Sequence, residues 1–373
     1  MRRKEDLMPL RKMLISGGGT GGHIFPAIAI ANAVKKRYPD VEILFVGAEG
    51  RMEMEKVPAA GYKIAGLRIQ GMPRKVTLKW FSFFRDLLRS MVKARRIMKE
   101  FNPDVVVGVG GYASGPMLKI ATQKKIPTVI QEQNSFPGKT NKMLAKSVSR
   151  ICVAYDGLEK WFPKDKIVLT GNPVREDVVQ LEGKRARAAE LFGLNAEIKT
   201  ILIVGGSLGA RTINEAVHYS IERFKAAGVQ VVWQTGKSYF PVAQKAVQDA
   251  QAENIKVMDF ITRMDLGYAI ADVVISRAGA IAISELCLVR KPVILVPSPN
   301  VAEDHQTKNA LALVNHHAAL LVKDADAKEQ LATTVLELLE NEEKCHSLHR
   351  NIGGLGFTNS AEAIASVIAD LVK

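Results

Sequence analysis

Short runs of apolar, largely β-branched residues alternate along the chain with stretches whose apolar positions recur at helical spacing. In the first half these runs predict strands over Met13–Ile15, Val41–Val46, Val105–Val107, Thr128–Ile130, Ile151–Ala154 and Ile167–Leu169. In the second half they predict Ile201–Val204, Val229–Trp233, Ile255–Val257, Val273–Ile275, Val293–Val296 and Ala319–Val322. The runs are nearly continuous rather than alternating, as in parallel strands covered by helices on both faces. Two such series imply an α/β chain of two doubly wound, Rossmann-like domains facing one another across a cleft, with ligands at the carboxyl ends of the strands. Gly171-Asn172-Pro173 follows the last strand of the first series and marks the junction. The expected domains are residues 1–171 and 172–358, with a final helix over 359–373 able to pack back on the first.

Two of the apolar runs stop in glycines and restart as helices. Met13-Leu14-Ile15 leads into Ser16-Gly17-Gly18-Gly19-Thr20-Gly21-Gly22-His23, and Ile201–Val204 into Gly205-Gly206-Ser207-Leu208-Gly209-Ala210-Arg211. Such a turn points bare backbone N–H groups and a helix N-terminus at one spot, a geometry suited to phosphate. A third glycine loop, Gly108-Val109-Gly110-Gly111-Tyr112-Ala113-Ser114-Gly115-Pro116, follows Val105–Val107. Two phosphate-type loops in one half and one in the other suggest two phosphorylated substrates. Gly18, Gly19, Gly110, Gly111, Tyr112 and Ser114 are the candidates for an acceptor's diphosphate.

Length and composition narrow the class. At 373 residues, 47% hydrophobic and 24% charged, the chain is long enough for two cores and too apolar for disorder. Cys152, Cys287 and Cys345 are widely spaced; they form no metal-ligand pattern and suit a reducing compartment as packing residues. No signal-type or membrane-spanning apolar run is seen, so a soluble or peripheral protein is expected. Charge is unevenly divided. Residues 1–173 carry 31 Lys and Arg against 14 Asp and Glu, a net of +17, and the remainder nets −3. Only the first half therefore calls for an anionic partner, either a membrane or nucleic acid.

Individual residues carry candidate chemistry. Gly17-x-Gly19-x-x-Gly22 fits a dinucleotide fingerprint, with Glu49 as its ribose acid, but the loop runs directly into His23. An imidazole in the first helical turn beside a phosphate loop is either a general base for a hydroxyl or a capping residue. Ser276–Glu285 places small residues between a strand and a helix, where Glu285 either binds a ribose diol or lies on a solvated face. Glu303-Asp304-His305-Gln306 suits sugar hydroxyls or caps a helix. In Met72–Lys99, Trp80, Phe81, Phe83 and Phe84 are mixed with nine basic residues. Apolar positions 80, 84, 87, 88 and 91 have the spacing of a core stripe. The extra aromatics suit an anionic lipid interface or single-stranded nucleic acid, although no nucleic-acid module is present.

Taken together, these motifs resemble the MurG family, the membrane-associated N-acetylglucosaminyltransferases of peptidoglycan synthesis. The matching pieces are Gly18–Pro26, Gly110–Pro116, Glu132-Gln133-Asn134, Gly171–Arg175, Gly205–Ala210, Arg277–Ala280 and Ser284-Glu285, in the family's order over nearly the whole chain. The resemblance implies a GT-B fold and an inverting transfer of GlcNAc from UDP-GlcNAc to the C4 hydroxyl of MurNAc in undecaprenyl-diphosphoryl-MurNAc-pentapeptide (lipid I to lipid II), with no metal or cofactor. It implies donor contacts at Thr20, Gly21, Gly22, Asn134, Arg175, Ser207, Ile261, Ala280, Ile281, Ala282, Ile283, Ser284, Glu285 and Gln306. Ile261 would offer backbone groups to uracil, Glu285 would hold the ribose, and His23 would be the catalytic base. Membrane contact would fall on Trp80, Phe81 and Phe84 at the anionic cytoplasmic face of the inner membrane. Nucleic acid is not an expected partner, while other cell-wall synthesis proteins are compatible with the resemblance. The loop Asn134–Gly138 departs from the family in carrying Phe136 and Pro137. The residues alone leave open an NAD-type oxidoreductase, a two-Rossmann UDP-sugar epimerase, and a non-enzymatic lipid- or nucleotide-binding module.

Overall fold

The structure is a computed structural model that describes residues 10–69, 79–174, 176–206, 208–301 and 304–372, with the side chains of 79–82, 84, 176 and 177 also outside the description. It divides into two compact units, Met1–Val174 with Asn359–Lys373, and Arg175–Thr358.

The first unit holds seven parallel strands: β1 (Lys12–Ser16), β2 (Glu42–Ala48), β3 (Lys63–Leu67), β4 (Val105–Gly108), β5 (Thr128–Glu132), β6 (Arg150–Val153) and β7 (Ile167–Leu169). Their order across the sheet is β3-β2-β1-β4-β5-β6-β7. Chain order reverses at β1, between β2 and β4, and Ser16 pairs with Val46 on one side and Gly108 on the other. β3 has no counterpart among the expected strands. Its Lys-Ile-Ala-Gly-Leu sequence sits at the sheet edge with only Leu67 fully buried, so it lacks a continuous apolar run.

The second unit holds six parallel strands: β8 (Thr200–Val204), β9 (Gln230–Gln234), β10 (Ile255–Met258), β11 (Val273–Ser276), β12 (Val293–Leu295) and β13 (Leu320–Leu321). Their order, β10-β9-β8-β11-β12-β13, repeats the first unit's pattern with its reversal at β8. Each sheet separates two apolar layers. Leu14, Val106 and Ile130 face one layer of the first unit, and Met13, Ile15 and Val107 face the other. This is the two-sided burial that the continuous apolar runs require.

The last helix, Ser360–Leu371, returns to the first unit. Its Ile364, Ala365 and Ile368 share a core with Ile24, Ile30 and Val34 of helix Gly21–Arg37, and Arg37 donates to Ser366 Oγ at 2.9 Å. In helix Lys79–Phe101, Ala94, Ile97 and Met98 are buried, and Leu87 and Met91 pack against the core. Leu88, expected in that stripe, is instead 67% exposed, as is Val92 at 65%. They lie one turn apart on the face opposite the core. Cys152 and Cys287 are buried and burial pushes each thiol up to about 12, while Cys345 is also raised by burial. All three are unreactive packing groups near neutral pH.

Candidate functional site

In the first unit, the loops that follow β1 and β4 leave neighbouring strands at the reversal and interlock. Gly17 N–H donates to Val46 O at 3.2 Å and Gly18 N–H to Gly110 O at 3.3 Å. Ser114 is fully buried, and its hydroxyl donates to Ser16 O at 2.7 Å and Gly110 O at 2.8 Å. Ser114, expected on an acceptor diphosphate, therefore ties the two loops together. Gly18 and Gly19 also have their N–H groups bonded within the protein, since Gly19 N–H donates to Glu53 Oε2 at 2.8 Å. Their amides are thus engaged in shaping the loop. The helix that begins at Gly21 brings Gly21 and Gly22 to the loop's mouth, and the first amides of a helix have no partner within it. Gly110 and Gly111 are left-handed at φ 94° and 83°, and Tyr112 is exposed.

His23 sits in the first turn of that helix. Thr20 takes the cap position, with its carbonyl accepting from the N–H groups of His23 and Ile24 at 3.1 and 3.2 Å. The imidazole turns back on the loop. Its Nδ1 lies 3.0 Å from Gly18 O and 3.3 Å from Thr20 Oγ1. A carbonyl can only accept, so Nδ1 carries a proton, and in the neutral ring the lone pair falls to Nε2. A Cβ at Gly110 would stand 2.7 Å from both Nε2 and Cδ2, so the ring rests on bare glycine backbone.

At the end of β5, Glu132 is buried and organises the next loop. Its Oε1 accepts from Asn134 N–H at 3.0 Å and Asn134 Nδ2 at 3.2 Å, and its Oε2 from Gly138 N–H at 3.1 Å and Asn141 Nδ2 at 2.7 Å. Asn134 is thereby fixed by a neighbour quoted only as part of its motif. Phe136 meets Trp161 edge-on at 5.0 Å, with Lys142 Nζ 4.4 Å from one ring centre and 4.6 Å from the other. That packing gives the bulky Phe136 of this loop its place. Glu49, the alternative ribose acid, pairs with Lys93 at 2.9 Å.

In the second unit, the loop after β8 closes with Gly209 N–H donating to Gly206 O at 2.9 Å. Gln234 braces it, donating from Nε2 to Gly206 O at 3.0 Å and accepting Ile261 N–H on Oε1 at 2.9 Å. Ile261, expected to offer backbone groups to uracil, has its N–H engaged by Gln234. After β11, helix Ala280–Val289 starts at Gly279. Ala280, Ile281 and Ala282 are half-buried along its first turn. Ile283 belongs to the core, and its N–H donates to Gly279 O at 2.9 Å. Ser284 Oγ bonds back to Ala280 O at 3.0 Å. Ile283 therefore packs in the core of the second unit. Glu285 accepts the Tyr268 hydroxyl at 3.2 Å. Arg277 pairs with Asp324, which also takes the Thr212 hydroxyl at 2.9 Å. Gln306 Oε1 accepts Ser298 N–H at 2.8 Å, which turns its amide nitrogen outward as the donor end. Arg175 and Ser207 lie outside the described residues, as do the side chains of Trp80, Phe81 and Phe84.

Sequence comparison decides the lineage. Residues 13–153 match the glycosyltransferase family 28 N-terminal domain and residues 200–366 match its C-terminal domain. The chain belongs to glycosyltransferase family 28. A relative from Phocaeicola vulgatus, the UDP-N-acetylglucosamine--N-acetylmuramyl-(pentapeptide) pyrophosphoryl-undecaprenol N-acetylglucosamine transferase, is 58% identical over 361 residues, 96% of each chain. The crystal structure of MurG from Acinetobacter baumannii superposes with a TM-score of 0.77 at 26% identity, covering 96% of this chain and 99% of that one. The family resemblance read from the motifs thus extends over nearly the whole chain, and the fold is GT-B. A UDP-GlcNAc 2-epimerase from Neisseria meningitidis superposes at 0.68 with 15% identity, covering 97% of this chain and 100% of that one; that likeness concerns the fold alone. The oxidoreductase and epimerase readings give way to the transferase family.

Proposed function

We infer that this chain transfers N-acetylglucosamine from UDP-GlcNAc to N-acetylmuramyl-(pentapeptide) pyrophosphoryl-undecaprenol, the step from lipid I to lipid II of peptidoglycan synthesis. The observation that carries the inference is the near-full-length identity to transferases of that name. The site chemistry supports it. The acceptor's C4 hydroxyl oxygen attacks C1 of the donor sugar as the bond from C1 to the β-phosphate oxygen breaks, with inversion at C1. The hydroxyl proton passes to His23 Nε2, and UDP departs with the bond's electron pair. Helix N-termini after β8 and β11 supply the positive end of a dipole for the charge that builds on UDP. Glu285, held by Tyr268, is placed to accept from a ribose diol, with the Ile261 carbonyl for the base and the Gln306 amide for sugar hydroxyls. Thr20, Gly21, Gly22, Asn134, Arg175 and Ser207 complete the proposed donor contacts, and Gly110, Gly111 and Tyr112 those to the acceptor's diphosphate.

The first unit is also the proposed membrane-facing part, at the cytoplasmic surface of the inner membrane. Leu88 and Val92 are exposed beside exposed Arg85, Arg89, Lys93 and Arg96, a pairing suited to an anionic lipid interface. No helix among the described residues is long and apolar enough to cross a membrane. Purified protein with labelled UDP-GlcNAc and a lipid I analogue should yield labelled disaccharide and UDP in equal amounts. Release of UDP with no disaccharide, or epimerised sugar, would overturn the reading.

A further inference from the structure

Glu53 heads the short helix Glu53–Ala59 and is 1% exposed. A carboxylate is strongly disfavoured away from water unless charge or hydrogen bonds compensate it. Among the described residues no cation pairs with it. Its compensation comes from backbone: Oε1 accepts Ala48 N–H at 2.9 Å and Oε2 accepts Gly19 N–H at 2.8 Å. The chain is hollowed to admit it. A Cβ on Gly18 would stand 2.2 Å from Oε1, and one on Gly47 would stand 2.5 Å from Cγ. Gly18 also has φ 149°, so both walls of this cradle require glycine.

The peptide that Glu53 grips is the one His23 uses. Gly18 C=O and Gly19 N–H are two ends of a single planar amide. On one side the amide's oxygen faces His23 Nδ1 at 3.0 Å, and on the other its N–H donates to Glu53 at 2.8 Å. We propose that Glu53 is a positioning residue for the transfer, acting on His23 through the Gly18–Gly19 peptide as a carboxylate acts directly in a carboxylate–histidine pair. The carboxylate pushes electron density along the amide towards Gly18 O, which strengthens that carbonyl as an acceptor. The stronger acceptor holds the proton on Nδ1, fixes the ring, keeps the lone pair on Nε2, and stabilises the imidazolium that forms as the acceptor hydroxyl gives up its proton. Among the described contacts, the Thr20 hydroxyl and the Gly110 backbone also face His23, and the Ala48 and Gly19 amides and the backbone at Gly18 and Gly47 face Glu53.

This inference rests on His23 being the base, and the experiment separates the two. His23→Ala, Glu53→Gln and the double variant are assayed on UDP-GlcNAc and a soluble lipid I analogue. Glu53→Gln keeps the size, removes the charge and leaves one accepting oxygen for the two backbone N–H groups. It should lower kcat by about 10–100-fold, the size seen when a partner that orients a metal-bound histidine is removed, with the KM for UDP-GlcNAc unchanged. The acidic limb of kcat/KM should move to lower pH, because the imidazolium has lost its remote counter-charge. In the His23→Ala background, Glu53→Gln should change turnover less than 2-fold. An equal loss in both backgrounds, or an unmoved acidic limb, would make Glu53 a loop-shaping residue only and overturn the proposal. Near-normal turnover in His23→Ala would instead overturn the base assignment beneath it. Should Glu53→Gln fail to fold, ring nitrogen shifts in the ¹⁵N-histidine-labelled native protein still decide. The proton on Nδ1 of His23 at neutral pH is expected, and the opposite tautomer refutes the relay.

Discussion

The loop after β1 and the loop after β8 stand at the same reversal of the same strand order, yet their amides serve different ends. In the first unit, Gly17, Gly18 and Gly19 have their N–H groups bonded to Val46, Gly110 and Glu53. A protein carboxylate already sits where a phosphate-binding loop would receive an anion, and the loop has become a rigid seat for His23. In the second unit the braces reach the loop after β8 through the Gly206 carbonyl. Leu208 stands 87% exposed, and a Cβ on Gly206 would meet nothing within 4 Å. That loop keeps room for a ligand. The lesson is that a shared topology fixes where chemistry can occur, while the acceptors that reach the glycine amides decide whether the spot positions a base or binds an anion.

The sharpest break between the two loops is at His23. His23→Ala should lower turnover by about 10²–10⁴, the range for loss of a general base, and leave UDP affinity unchanged by calorimetry. A parallel fall in UDP binding would make the His23 side chain itself part of donor recognition and erase the contrast.

Gly209→Ala tests the second loop's shape. Its φ is 79°, and a Cβ there would stand 1.9 Å from Thr235 O. Left-handed strain of about 1–3 kcal/mol adds to a backbone clash, so thermal unfolding should shift down and UDP binding weaken. Gly206→Ala, with φ 89° and no Cβ neighbour, carries the strain alone and should do less. Equal effects would show that the close approach to Thr235 is not what shapes the loop.

Glu285→Ala should weaken UDP binding by about 1–3 kcal/mol, as for loss of a hydrogen bond to a charged group, and Tyr268→Phe should weaken it less. Calorimetry with UDP and ADP checks both, and undiminished binding would remove Glu285 from the ribose. The smallest effect belongs to the surface of the first unit. Sedimentation with anionic vesicles should weaken with salt and on Leu88→Ser with Val92→Ser, and neutral vesicles should bind poorly. Each basic side chain near the leaflet contributes about 1 kcal/mol. Trp80→Ser with Phe81→Ser extends the test to the start of the same helix. Indifference to lipid charge and to these residues would leave the net +17 of residues 1–173 needing another partner.

Much of the fold was legible because it is written locally. Continuous apolar runs such as Val105–Val107 and Ile201–Val204 became central strands, since burial on both faces leaves no polar position to break the run. β3 was not legible: at an edge, Lys63 and Gly66 can face solvent or a neighbouring loop, so its pattern is indistinct. His23 announced itself by its place after Gly22. Glu53 gave no local sign, because its partners Gly19 and Ala48 lie 34 and 5 residues away and nothing in Glu53-Met54-Glu55-Lys56 separates it from a solvated helix start. Tyr268 with Glu285, and Arg277 with Asp324 across 47 residues, were hidden for the same reason.

The order of apolar runs and glycines by itself determined that strands end in turns able to offer backbone N–H groups, and where along the chain those turns fall. Tertiary structure alone decided which amides remain for a ligand. Every residue but proline carries the same N–H group, so its availability cannot be read from the residue that bears it. It depends on whether a distant carbonyl or carboxylate is folded within reach, as Glu53 is to Gly19.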